Sequence, residues 1–151
     1  MYTTYQHLAD YFSSLPNSVS ELKSVVVGDD EAILNTENTR IIYPALWVET
    51  PTVTFSGPGE DPAKVFSFAI TVLENEPSKT PAEANATLSR TLEVLERVWA
   101  RIIRDAEEDE NFEVILKDGE AEPITQWSAD NAYGWRCSMH IHLQRCECAD
   151  C

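Results

Sequence analysis

The residues with the most chemical reach lie near one end of the chain. Cys146-Glu147-Cys148-Ala149-Asp150-Cys151 places three thiols within six residues. Clustered thiolates bind soft or borderline metals, and zinc among them takes four ligands. His140 and His142 stand two apart, so on a strand both rings face the same side and could reach one ion. The cysteine spacing matches no common zinc module, and no acidic or thiol partner is fixed beside the histidines. The metal candidates Cys146, Cys148, Cys151, His140 and His142 are therefore weak. A flexible, oxidation-prone tail over 146–151 is the expectation. A polar sheet face or a subunit contact is the expectation for the two histidines, and a core position for Cys137.

Carboxylates are plentiful, as in Asp29-Asp30 and the run from Glu107 to Glu110. Catalytic pairs need burial to shift a pKa, and runs in an acidic chain are solvated faces by default. The sequence holds no G-x-S-x-G, no H-E-x-x-H, no phosphate loop and no dinucleotide glycine pattern. Gly57-Pro58-Gly59 is too short and too acidic in its surroundings to cradle phosphate. No residue set argues for an enzyme, and no cofactor is expected. Trp47, Trp127 and Trp135 sit in or beside expected strands, where core packing is the default; Trp127 is the best interface anchor of the three.

The element that must organise these residues is a helix. Thr80 can cap it, Pro81 suits its first position and Glu83 completes a capping box. Leu88, Leu92, Leu95, Trp99, Ile102 and Ala106 step along one face, and Val94, Val98 and Ile103 widen the stripe to the breadth of a helix on a sheet. Acids crowd its end from Asp105 to Glu110, where the macrodipole disfavours them, so fraying is expected there.

Around it, Tyr5, Leu8, Tyr11, Phe12 and Leu15 predict a first helix over 3–15, stopped by Pro16-Asn17. Ser24 to Val27 reads as a short strand. A strand over 41–55 carries Pro44 and Pro51, so it is an edge, is bent, or is two pieces. The clearest strand, 64–74, alternates Phe66, Phe68, Ile70 and Val72 against a mixed face and should be central. It forms a long hairpin with the preceding strand around the Gly-Pro-Gly loop. Strands are also expected over 112–117, 124–127 and 134–144, the last with Trp135, Cys137, Met139, Ile141 and Leu143 on one face. The prediction is an α+β fold: an antiparallel sheet with a long hairpin, covered on one face by the long central helix and the N-terminal helix. One domain spans 1–145.

Composition narrows the classes. The chain has 151 residues, 43% hydrophobic and 25% charged, ordinary for a globular domain, but its formal net charge is −15. That charge argues against nucleic acid as a ligand. It fits plain solubility, or a surface that repels a polyanion or attracts a basic partner. No basic-plus-apolar leader precedes residue 5, and no apolar run approaches the roughly 18 residues of a membrane span. The expectation is a chain made in the cytoplasm and not held in a membrane.

The layout resembles the tail-terminator proteins of long-tailed bacteriophages, also called tail-completion or neck proteins. The resemblance is carried by the hairpin from Tyr43-Pro44-Ala45-Leu46-Trp47-Val48 to Phe66-Ser67-Phe68-Ala69-Ile70-Thr71-Val72, by the helix from Pro81 to Ala106, and by Asp130-Asn131-Ala132-Tyr133-Gly134-Trp135-Arg136 opening the last strand. It spans about residues 3 to 145 and rests on element order and lengths. The cysteine-rich end and the stretch Glu31 to Arg40 depart from the pattern.

The resemblance implies a non-catalytic virion subunit that forms a ring, commonly a hexamer, at the head-proximal end of the tail tube. Such a ring stops tube growth and offers a surface to the head. Its partners would be copies of itself, the tail tube protein and a head-completion or connector protein. Candidate interface residues are Trp47, Gly57, Pro58, Gly59, Glu60, Asp61, Trp127 and Tyr133. Two other readings stay open: an acidic module that holds a basic protein, and a small-ligand binder or enzyme on the concave sheet face. In a ring that passes DNA, acidic residues should outnumber basic ones on the lumen surface. A structure of an assembled ring with a net basic lumen would overturn that expectation.

Overall fold

Two long strands form the middle of the molecule. The computed structural model describes residues 5–29, 41–56, 63–75, 80–109, 112–114, 119–127 and 132–143. β4 (Ala63–Glu74) and β7 (Ala132–Leu143) run antiparallel, from Lys64 opposite Leu143 to Glu74 opposite Tyr133. Their period-two patterns are in phase, so Phe66, Phe68, Ile70 and Val72 share a buried face with Cys137, Met139, Ile141 and Leu143.

Each long strand has two short partners along its outer side. β2 (Ala45–Val48) pairs with the Ile70–Leu73 half of β4, and β3 (Thr52–Ser56) with the Ala63–Ser67 half. The expected proline-interrupted strand is thus two pieces. The break spans Glu49, Thr50 and Pro51, and Pro51 has no N–H for the ladder. On the other side, β6 (Ala121–Trp127) pairs with the first half of β7 and β5 (Phe112–Val114) with its last residues. β6 starts earlier than the sequence predicts and runs through Pro123. An edge strand tolerates a proline because its outward N–H has no ladder partner to lose.

β1 (Ser24–Val27) pairs with β2 in parallel, from Ser24 opposite Ala45 to Val27 opposite Val48. The sheet is therefore mixed at this one edge rather than wholly antiparallel. A parallel neighbour needs a crossover, and the chain between Gly28 and Pro44 supplies it. Part of that stretch, 30–40, lies outside the described residues. The seven described strands run β1, then β2 and β3 end to end, β4, β7, then β6 and β5 end to end.

Both described α-helices cover the same face. α1 (Tyr5–Ser14) continues into a tight turn at Leu15–Asn17 and buries Leu8, Phe12 and Leu15. The Phe12 ring meets Phe68 edge-on at 5.5 Å. α2 (Pro81–Glu108) opens as expected, with Thr80 Oγ1 accepting from the Glu83 N–H at 3.3 Å. Its buried line is Thr87, Thr91, Val94, Leu95, Val98 and Ile102. That line is rotated from the predicted stripe: Leu88, Leu92, Trp99 and Ala106 lie at its half-buried border. Two threonines sit in the middle because each satisfies its hydroxyl locally. Thr87 donates to Glu83 O at 3.1 Å and Thr91 to Thr87 O at 2.9 Å. Burying each of Val94, Leu95, Val98 and Ile102 contributes roughly 1.5–3 kcal/mol.

The acidic end of α2 is helical through Glu108 rather than frayed. Arg101 pairs with Asp105 at 2.8 Å and Arg104 with Glu108 at 3.2 Å, each one turn apart. The Tyr11 hydroxyl donates to Asp105 at 2.7 Å and ties α1 to this last turn. On the opposite sheet face, Trp47, Leu73 and Ala132 form a smaller cluster with Val26, Ile41 and Tyr43.

One residue sets how closely the long strands approach. A Cβ on Gly134 would stand 1.7 Å from the Val72 carbonyl oxygen and 3.2 Å from Leu73 Cα. Backbone cannot yield there without parting β4 from β7. Gly134→Ala should lower the unfolding free energy by at least about 3 kcal/mol in urea denaturation.

Candidate assembly surface

The outer strand β3 leaves side chains uncovered on the face that the helices cover elsewhere. Val53 lies opposite Phe66 and Phe55 opposite Lys64, so these four side chains share the helix side of the sheet. Phe66 is buried, but Val53 is 40% exposed and Phe55 65% exposed. The β3 sequence Thr-Val-Thr-Phe-Ser is β-branched and aromatic and carries no charge. Its inner side pairs with β4; among the described strands nothing pairs with its outer side. Such an edge is a template for a further chain unless it is covered. Sequence reasoning placed the interface in the adjoining loop and missed Val53 and Phe55. A partial signal was available: an uncharged run on a strand for which an edge position was one of three open readings.

The candidate residues named from sequence scatter. Trp47 is buried and its indole N–H donates to Gly28 O at 2.9 Å, joining β2 to the end of β1. Tyr133 is buried in β7 opposite Glu74. Burial takes both off the surface of a single subunit. Trp127 ends β6 opposite Ala132. Gly57, Pro58, Gly59, Glu60 and Asp61, and Cys146, Cys148 and Cys151, lie outside the described residues.

His140 and His142 do share the sheet face away from the helices. His140 Nδ1 is 2.6 Å from Ser67 Oγ, and His142 Nδ1 is 3.4 Å from a Glu113 carboxylate oxygen. A hydroxyl beside an imidazole is half of an activated nucleophile; the other half is a carboxylate that orients the same ring. Here the carboxylate sits on the other histidine. Arg136 grips Glu49 at 3.0 Å on the same face. The row is a hydrogen-bonded polar surface. Among the described residues, no group of three or more His, Cys, Asp or Glu side chains is placed to hold a metal.

Among the described residues, cavities border α2 on two sides. One, about 480 Å³, lies between the helix and the start of β6. Leu92, Leu95, Glu96 and Trp99 form one wall, Gly119 and Ala121 the other, and Cys137 lines it too. A Cβ on Gly119 would come within 3.2 Å of Cys137 Sγ and 3.3 Å of Trp99, so glycine keeps this groove open. The tryptophan that lines it is Trp99, which the sequence placed simply in the helix stripe. Trp135 instead straps sheet to helix by donating to Leu88 O at 2.7 Å.

The second cavity, about 410 Å³, has Arg97, Arg101 and Arg104 on one side and Ser18 to Glu21 on the other. Three arginines suggest an anion site. Each guanidinium already has a carboxylate, however: Arg97 pairs with Glu21, Arg101 with Asp105 and Arg104 with Glu108. An incoming anion would have to displace them.

Among the described residues, three groups are shifted from their ordinary values. Burial pushes the Cys137 thiol up, which keeps it protonated and unreactive. Burial, then the Asp105 hydrogen bond and charge, push the Tyr11 phenol far up. Burial raises the Glu74 carboxyl, partly offset by the Asn75 N–H and by Arg90. No helix among the described residues is long and apolar enough to cross a membrane. No family model matches the chain, and no curated protein matches it significantly.

The Glu74 shift has a definite sign. A carboxyl whose folded pKa is raised binds its proton more tightly in the native state, so stability falls as pH rises through that folded value. Glu74→Gln removes the titration. The variant should unfold at a higher temperature than the parent near pH 7, and the two should converge below about pH 4, where the parent carboxyl is protonated in both states. Thermal unfolding followed from about pH 3 to pH 8 checks both limits.

Proposed function

We propose that the chain is a structural subunit that closes into a ring at the head-proximal end of a phage tail tube, as the tail-terminator proteins it resembles do. The observation that carries this reading is the exposed, uncharged β3 edge with Phe55 standing out from it. Ring formation requires heterologous contacts between unlike patches, and an open strand edge on one side of a subunit is half of such a contact. The charge supports the same role. The net charge is −15, and Arg97, Arg101, Arg104 and Arg136 are each paired within the chain. A ring built from such subunits would repel DNA passing through it rather than hold it. The partners are further copies of the chain, the tube protein below and a head-completion protein above.

Native mass spectrometry across a concentration series, with reductant present to silence the terminal cysteines, tests the reading. A closed oligomer is expected, most tellingly six subunits. A monomer at every concentration overturns it. The acidic-module reading predicts that monomer, with a basic partner whose affinity falls as salt rises.

A further inference from the structure

We infer that the groove between α2 and β6 receives the β3–β4 hairpin of a second copy of this chain, with Phe55 of one subunit seated against Trp99 and Leu92 of the next. The inference rests on the ring reading and names its contact.

Four observations meet here. Phe55 is 65% exposed and Val53 beside it 40%, a bulky apolar projection on a strand without charge. The groove of about 480 Å³ offers Leu92, Leu95, Trp99 and Ala121, an apolar lining with room for an aromatic ring. The charges complement each other. Lys64 stands directly across the ladder from Phe55, and Glu96 lines the groove. Neither forms an ion pair with another described residue. Finally, projection and groove lie at opposite sides of one sheet: β3 flanks β4 while β6 flanks β7.

That last point determines the kind of assembly. A contact between two unlike patches on opposite sides of a subunit is heterologous. It propagates from copy to copy and ends only when the rotation closes a ring. The insertion of one apolar side chain into a neighbour's pocket is enough to drive such propagation in other proteins. Phe55 and Glu96 are both exposed on the single chain, so substitutions there test the contact without disturbing the core.

The experiment uses the full chain with Cys146, Cys148 and Cys151 changed to serine. In that background Lys64→Cys and Glu96→Cys, which leave Phe55 in place, are made singly and together, oxidised, and the bridged peptides mapped. The double variant should give a covalent ladder whose bridge joins positions 64 and 96 of different copies, and neither single variant should do so. Phe55→Ser should raise the concentration needed for assembly at least about tenfold. A 64–64 bridge in the single variant overturns the inference in favour of a two-fold contact. A closed oligomer of the parent without a 64–96 bridge overturns the contact and leaves the ring standing. A parent that stays monomeric at every concentration overturns both.

Discussion

The close antiparallel ladder between β4 and β7 is the constraint on which the rest depends. Its phase decides which side chains face the helices, and a slip of one residue would move Phe66, Phe68, Ile70 and Val72 to the other face. Gly134 permits the approach, because any side chain there would meet the Val72 carbonyl. Every other strand is placed by reference to this pair: β2 and β3 on one side, β5 and β6 on the other, and β1 through β2. The helices then have one apolar face to cover. α2 lies over the ladder with Val98 and Ile102 fully buried, and α1 joins it through Phe12 on Phe68.

The cover is unequal, and the proposed assembly would draw on that inequality. The helices bury Phe66 but not Val53 beside it or Phe55 beyond it. At the far side of the sheet, α2 stands off from β6 far enough to leave a groove floored by the inert, protonated Cys137. A surplus of apolar surface on one side and a groove on the other would suit the proposed contact, in which a neighbouring copy covers both. Elsewhere charged groups pair within the chain. Arginines on α2 hold carboxylates, and Ser67 and Glu113 partner His140 and His142, while His142 Nε2 and Thr71 Oγ1 on that face are buried without a hydrogen-bond partner among the described residues.

Legibility in the sequence followed the strength of periodicity. The strand 64–74, the last strand and the capped start of the helix were readable because alternation and capping are local rules. The buried line of α2 was read one step to the side, because leucines outweigh threonines in any apolar count. Thr87 and Thr91 are buried only because each hydroxyl can turn back to a helix carbonyl. The helix end was expected to fray because the acids were weighed against the dipole without their partners. Arg101, Arg104 and Tyr11 supply those partners, and Tyr11 comes from a distant part of the chain. Trp47 and Tyr133 looked like interface anchors by residue type, but strand pairing buries both.

What the sequence by itself determined was the α+β class, the central strand, a proline-disturbed strand before it, the capped helix and an acidic surface, because each follows from composition or from neighbours a few residues apart. Tertiary structure alone decided the parallel β1–β2 edge, the end-to-end placing of the short strands, and which apolar residues stay outside. Those depend on where the helices run out over the sheet. The exposure of Phe55 and the groove at Trp99 belong to that second kind: the uncharged run of β3 hints at the first, but both are set by distances between elements far apart in the chain.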